Sequence, residues 1–98
     1  MSWSTLAENQ ENGNSAEMFW PGGPGAVTFE GTFGSATVKL QFARLSGGTF
    51  LDVGLNSQAT SAKVSGFDIP EGYLRANVSG GTGESLDVFV KMNVDDED

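Results

Sequence analysis

The stretch Ala36–Phe42, with the sequence ATVKLQF, decides the fold class because its apolar and polar residues alternate without interruption. Alternating residues of a β-strand point to opposite faces, so the apolar set must face a core. A slip of one residue would turn Lys39 inward, and this fixes which face is buried. We therefore predict a strand here that packs its apolar side against the rest of a β-fold.

The same alternation recurs along the chain at intervals of about ten residues. Further strands are predicted at residues 26–30, 50–55, 63–69, 73–78 and 86–92. Turns rich in glycine or proline separate them, and no segment shows sustained helical periodicity. The sequence thus predicts an all-β fold, either an antiparallel β-sandwich or a small barrel of about six to eight strands.

The chain of 98 residues is predicted to form one globular domain with polar ends. Residues 1–17 are polar and are predicted to form an N-terminal arm or an edge strand. Residues 18–94 are predicted to form the β-sandwich domain. Residues 95–98 are all acidic and are predicted to be a disordered tail, although docking of this tail on a basic partner is an alternative.

The residue types needed for most enzyme chemistry are absent. The chain has no cysteine and no histidine, which removes the thiol nucleophile, the commonest general base and the commonest metal ligands. The remaining acids have no spacing that brings two of them together in an apolar cleft. The glycine-rich runs lack the lysine and the helix of a phosphate-binding loop. We expect no enzyme activity, no cofactor and no metal site.

The charge balance narrows the class of partner. Thirteen acidic residues against five basic ones give a net charge of −8, and the basic residues are scattered along the chain. We therefore expect no nucleic-acid partner and no binding to an anionic membrane. No apolar run is long enough to span a bilayer, and the N-terminus has no secretory signal pattern. The expected location is the cytoplasm, unless the protein leaves it within a larger particle.

Aromatic residues are the strongest candidates for a binding surface. Most lie near predicted loops or strand ends: Trp3, Phe19, Trp20, Phe33, Phe50 and Tyr73. Exposed rings there suit a protein interface or stacking on sugars, whereas buried rings would close the ends of the sandwich. Phe89 lies between Asp87 and Lys91, so strand alternation places it on the polar face. We predict that Phe89 makes an intersubunit contact.

Two segments resemble a known group of proteins. They are residues 20–41, with the sequence WPGGPGAVTFEGTFGSATVKLQ, and residues 69–81, with the sequence IPEGYLRANVSGG. They resemble a family of small all-β proteins encoded among the structural genes of tailed bacteriophages. The resemblance covers most of residues 18–90 and contains no catalytic motif. It implies a component of the virion that is made in the host cytoplasm.

The leading hypothesis is a capsid decoration or cement protein that binds the major capsid protein and stabilises the shell. By analogy with such proteins, the expected assembly is a homo-oligomer, and specifically a trimer. We expect Trp3 and Leu6 of the N-terminal arm to dock on the capsid, with Phe19 and Trp20 as interface anchors. Deletion of residues 2–12 is expected to abolish docking and leave the fold intact.

The alternative hypothesis is a phage tail or fibre component, or a carbohydrate-binding β-sandwich module. The supply of aromatic residues near loops favours it. A glycan array without binding would count against it, as would burial of Trp3, Trp20 and Tyr73.

Overall fold

Two antiparallel β-sheets make up the part of the chain that the computed structural model describes, residues 3–54 and 57–92. The strands in chain order are β1 (Ser4–Gln10), β2 (Gly13–Asn14), β3 (Met18–Trp20), β4 (Gly23–Thr32), β5 (Thr37–Ala43), β6 (Leu51–Asp52), β7 (Gln58–Ala59), β8 (Lys63–Ile69), β9 (Gly72–Ser79) and β10 (Ser85–Met92). No α-helix forms in these ranges, so none of the described segments is a helix that could cross a membrane.

The strands are divided between a four-stranded and a six-stranded sheet. The first has the order β1-β10-β4-β8. The second has the order β2-β9-β5-β6, with β3 also paired to β9 and β7 to β5. The chain changes sheet after β1, β3, β4, β7, β8 and β9, so most of its turns connect the two layers. The predicted all-β antiparallel fold is confirmed, and the architecture is a sandwich of two sheets.

The core fills the space between the inner faces of the two sheets. Alternate residues of the long strands are completely or almost completely buried: Val27, Phe29, Val38, Leu40, Leu74, Ala76, Val78, Leu86, Val88 and Val90. In β5 the inward residues Val38 and Leu40 alternate with Lys39 and Gln41, which lie on the outer face, as the sequence of that stretch predicted.

β1 is an edge strand that contributes to the core through a β-bulge. Thr5 pairs with Phe89 and Ala7 pairs with Val88, which leaves Leu6 as an extra residue. A bulge of this kind turns two consecutive side chains to the same side. Leu6 and Ala7 are 6% and 5% exposed. Leu6, which we expected in the docking surface, is therefore a core residue.

Two carboxylates fix the N-terminal third of the chain to the remainder. Glu17 accepts hydrogen bonds from Ser46 Oγ at 2.7 Å and from the Gly47 N–H at 2.8 Å, and these bonds lower the pKa of its carboxyl. Glu84 accepts a bond from the Asn12 N–H at 2.6 Å. The Glu84 side chain is itself buried. The segment that leads into β3 is thus held at both ends.

One sequence prediction lies outside the described residues, and one predicted strand is shorter in the structure than expected. The acidic tail, residues 95–98, lies outside the described ranges. Of the strand expected at 50–55, residue 55 lies outside the described ranges, and the described part forms only the two-residue strand β6, in which Leu51 is exposed, while Val53 packs against the core.

Candidate docking surface

An apolar row crosses the outer face of the four-stranded sheet. Phe89 in the central strand β10 pairs with Thr5 of β1 on one side and with Thr28 of β4 on the other, and Thr28 pairs with Val64 of β8. Directly opposed residues of antiparallel strands point to the same face, so these side chains lie side by side. Val64 is 66% exposed and Phe89 is half-buried. The row therefore carries apolar side chains at Phe89 and Val64 and threonines at its other two positions, Thr5 and Thr28.

Trp3 extends this surface at the edge next to β1. Trp3 is 44% exposed, and Lys91 Nζ lies 5.7 Å from the centroid of its ring, within the range of a cation–π contact. Trp3, Thr28, Glu30 and Phe89 line a shallow depression of about 370 Å³. We call Trp3, Thr28, Val64 and Phe89 the apolar row.

Two acidic side chains border the apolar row. Asp87 of β10 and Glu30 of β4 lie directly opposite each other on the same face. Asp87 Oδ1 accepts a hydrogen bond from the Asn9 N–H at 2.9 Å. Like charges at directly opposed positions destabilise a sheet. A basic side chain of a partner placed beside Phe89 would offset this repulsion.

The structure separates the predicted interface residues into three places. Trp3 and Phe89 belong to the apolar row. Leu6 and Trp20 lie in the core, with Trp20 2% exposed and packed against Phe67 at 5.0 Å between ring centroids. Phe19 lies on the outer face of the other sheet, since adjacent residues of β3 point in opposite directions. Trp20 is therefore not an interface anchor in this fold, and the contacts of the other exposed residues stay predictions.

Sequence reasoning missed Thr28, Glu30 and Val64 as surface partners of Phe89. A pattern that could have identified Val64 is present, because Phe67 and Ile69 pack against the core and residue 64 has the opposite parity. The register that brings Thr28 and Glu30 beside β10 depends on pairing between distant segments. The local alternation of apolar and polar residues does not reveal that pairing.

Thr28→Val is expected to stabilise the fold by about 1 kcal/mol, because it removes a hydroxyl that is desolvated without compensation. Thr28 Oγ1 is buried and has no hydrogen-bond partner among the described residues. Valine has the same branched shape and suits a strand. Urea unfolding of both proteins measures the difference, and a clear loss of stability would show that the hydroxyl is paired in solution.

The fold and this surface together define an antiparallel β-sandwich with an apolar, acid-bordered outer face. No protein-family model, curated protein or solved structure matches the chain.

Proposed function

We propose that the chain is a structural protein of a tailed-bacteriophage virion that decorates the capsid, binds the major capsid protein and stabilises the shell. The observation that carries this proposal is the apolar row on the outer face of the four-stranded sheet. The resemblance of residues 20–41 and 69–81 to phage structural proteins supports it. The protein is made in the host cytoplasm and acts in the virion.

The chemistry of the apolar row suits a docking role. Large aromatic side chains dominate the binding energy of protein interfaces, above all where they lie near the centre of a patch and are ringed by polar groups. Phe89 lies in the second of the four strands, and Trp3 borders the same depression. Glu30 and Asp87 supply the polar border. The matching capsid surface would be apolar, with a lysine or arginine facing these carboxylates.

The mechanism of stabilisation is passive. A protein that binds only the assembled, expanded shell lowers the free energy of that state by mass action. In this proposal the copies form a homotrimer and each copy contributes its apolar row to the shell, so that Phe89, which the sequence led us to expect between subunits of the oligomer, faces the capsid instead. Light scattering coupled to size-exclusion chromatography measures the assembly state at micromolar concentration, and a stable dimer would contradict the trimer.

The docking experiment uses expanded capsids that lack this protein, mixed with the purified chain and sedimented. We expect the wild-type chain to pellet with the capsids and to raise the temperature at which they rupture. Trp3→Ala should weaken binding about 30-fold, the effect of losing one hot-spot side chain worth about 2 kcal/mol. Phe89→Glu should weaken it further, since it adds a third carboxylate beside Glu30 and Asp87.

Phe19→Ala is the matched control, because this exposed ring lies on the other sheet and should leave capsid binding unchanged. Circular dichroism verifies that all variants are folded. Absence of the chain from purified virions would overturn the proposal, as would binding of Trp3→Ala with wild-type affinity. Finding the chain on tails instead of shells would exclude the capsid as its partner.

A further inference from the structure

The outer face of the six-stranded sheet begins with an aromatic pair, in which Phe19 is exposed and Tyr73 is half-buried. Phe19 of β3 and Tyr73 of β9 are directly paired, and their rings meet edge to face at 5.7 Å between centroids. Phe19 is 51% exposed. The pair leaves an open aromatic surface on this side of the sandwich.

A hydrogen-bonded row of polar side chains follows the aromatic pair. Arg75 Nε donates to Gln41 Oε1 at 2.9 Å, and Gln41 Nε2 donates to Asp52 Oδ1 at 2.8 Å. The Arg75 guanidinium also lies 4.2 Å from the centroid of the Phe50 ring. These contacts fix the plane of the guanidinium before any ligand arrives, which lowers the entropic cost of binding.

A second polar row lies beyond Arg75 on the same face. Asn77 pairs with Lys39 across β9 and β5, and Asn77 Nδ2 donates to Asn14 Oδ1 at 2.7 Å. Lys39 Nζ lies 3.6 Å from Asp52 Oδ2. Residues two positions apart in a strand lie on the same face about 7 Å from each other. The aromatic pair and the two polar rows therefore follow one another along β9 at intervals of about 7 Å.

We infer that this face binds a neutral oligosaccharide. A sugar ring has a flat side of C–H groups, which packs on an aromatic ring, and a rim of hydroxyls, which both donate and accept hydrogen bonds. Phe19 and Tyr73 supply the aromatic surface, and Arg75, Gln41 and Asn77 supply planar polar groups beside it. We call these five residues the saccharide platform.

The charges on this face favour a neutral ligand over an acidic one. Arg75 and Lys39 are balanced by Asp52 and Glu17, and Arg75 acts electrostatically on Glu17. The hydrogen bond from the Gln41 side chain lowers the pKa of the Asp52 carboxyl. Asp52 is therefore a charged hydrogen-bond acceptor at neutral pH. The whole chain carries a net charge of −8, which repels a polyanion.

The saccharide platform and the apolar row lie on the outer faces of different sheets, on opposite sides of the core. A molecule docked through Trp3 and Phe89 would present the platform outward. The inference goes beyond the proposed capsid function and does not depend on it, because either face can be disabled alone.

An array of neutral and acidic oligosaccharides, probed with the wild-type chain, tests the inference. We expect binding to neutral sugars that persists at high salt. In an NMR titration with the best neutral sugar, backbone amides of residues 39–41 and 73–77 should shift. Phe19→Ala should lower the affinity about tenfold, the value of one lost aromatic contact.

Arg75→Lys distinguishes the geometry of the guanidinium from its charge, since lysine keeps the positive charge and lacks the planar group of hydrogen-bond donors. This variant should also bind the sugar more weakly. Trp3→Ala is the matched control and should bind the sugar as the wild type does. Absence of binding to any neutral sugar at millimolar concentration would overturn the inference. So would unchanged affinity in Phe19→Ala, binding to acidic glycans alone, or amide shifts confined to the apolar row.

Discussion

Trp20→Ala is expected to lower the free energy of unfolding by about 3–5 kcal/mol, whereas Phe19→Ala should lower it by about 1 kcal/mol. The two residues are consecutive in β3 and have similar chemistry. They differ in burial, because Trp20 is 2% exposed and Phe19 is 51% exposed. The comparison therefore isolates the contribution of burial at nearly constant position in the sequence.

The space occupied by the Trp20 indole is defined by its neighbours. Its ring packs against Phe67, and a Cβ atom added to Gly25 would lie 2.5 Å from Trp20 Cη2. The glycine in β4 thus leaves room for the ring. Trp20 Nε1 is buried without a hydrogen-bond partner among the described residues, so packing and apolar burial account for the stabilisation.

Urea unfolding of the wild type and both variants measures the difference. Small domains are stable by only about 5–15 kcal/mol, so Trp20→Ala should leave a small margin or none. Phe19→Ala should keep the same dependence on urea concentration as the wild type, since its fold is unchanged. Equal losses in the two variants would contradict the alternating burial of β3.

Local alternation predicted the strands that lie in the middle of the sheets. β4, β5, β9 and β10 were all expected within a few residues of their observed bounds, because each buries one face against a continuous core and exposes the other. Such strands have only one register that keeps lysine and aspartate out of the core. The period-two alternation of these strands therefore follows directly from the two-layer fold.

The two edge strands of the four-stranded sheet were predicted unequally: the strand expected at 63–69 is observed at those bounds as β8, whereas the inward residues of β1 were not predicted. The bulge in β1 turns both Leu6 and Ala7 inward, which breaks the alternation that the prediction depends on. The turn between β4 and β5 connects strands of two different sheets and does not close a hairpin. Its backbone bond from the Ala36 N–H to the Phe33 carbonyl is compatible with either connection. The choice of sheet depends on long-range pairing.

The candidate surfaces were predictable only one residue at a time. Parity placed Phe89 on the outer face, and the structure agrees. The neighbours of Phe89 in the apolar row follow from register across β10, β4 and β8. The contact between Arg75 and Gln41 likewise joins strands that are 34 positions apart in sequence. A surface assembled from several strands is visible only once their register is known.

Deletion of residues 3–10 is expected to unfold the chain, whereas from the sequence we expected that deletion of residues 2–12 would abolish docking and leave the fold intact. The deletion removes the whole of β1 and with it the core side chains Leu6 and Ala7. Loss of a buried leucine side chain alone costs about 2–5 kcal/mol. It also leaves the edge of β10 unpaired along Leu86–Val90, a template for aggregation.

Size-exclusion chromatography and thermal unfolding distinguish this outcome from loss of a flexible arm. The truncated chain should aggregate or show no cooperative transition, and a synthetic peptide of residues 3–10 added in trans should restore one by occupying the free edge of β10. Leu6→Ala should reproduce much of the loss, while Thr5→Ala, at an exposed position of the same strand, should cost less than about 1 kcal/mol. A monomeric truncated chain with the wild-type melting temperature would show that β1 is not needed for folding. In that case Trp3 could be removed together with β1 to test docking.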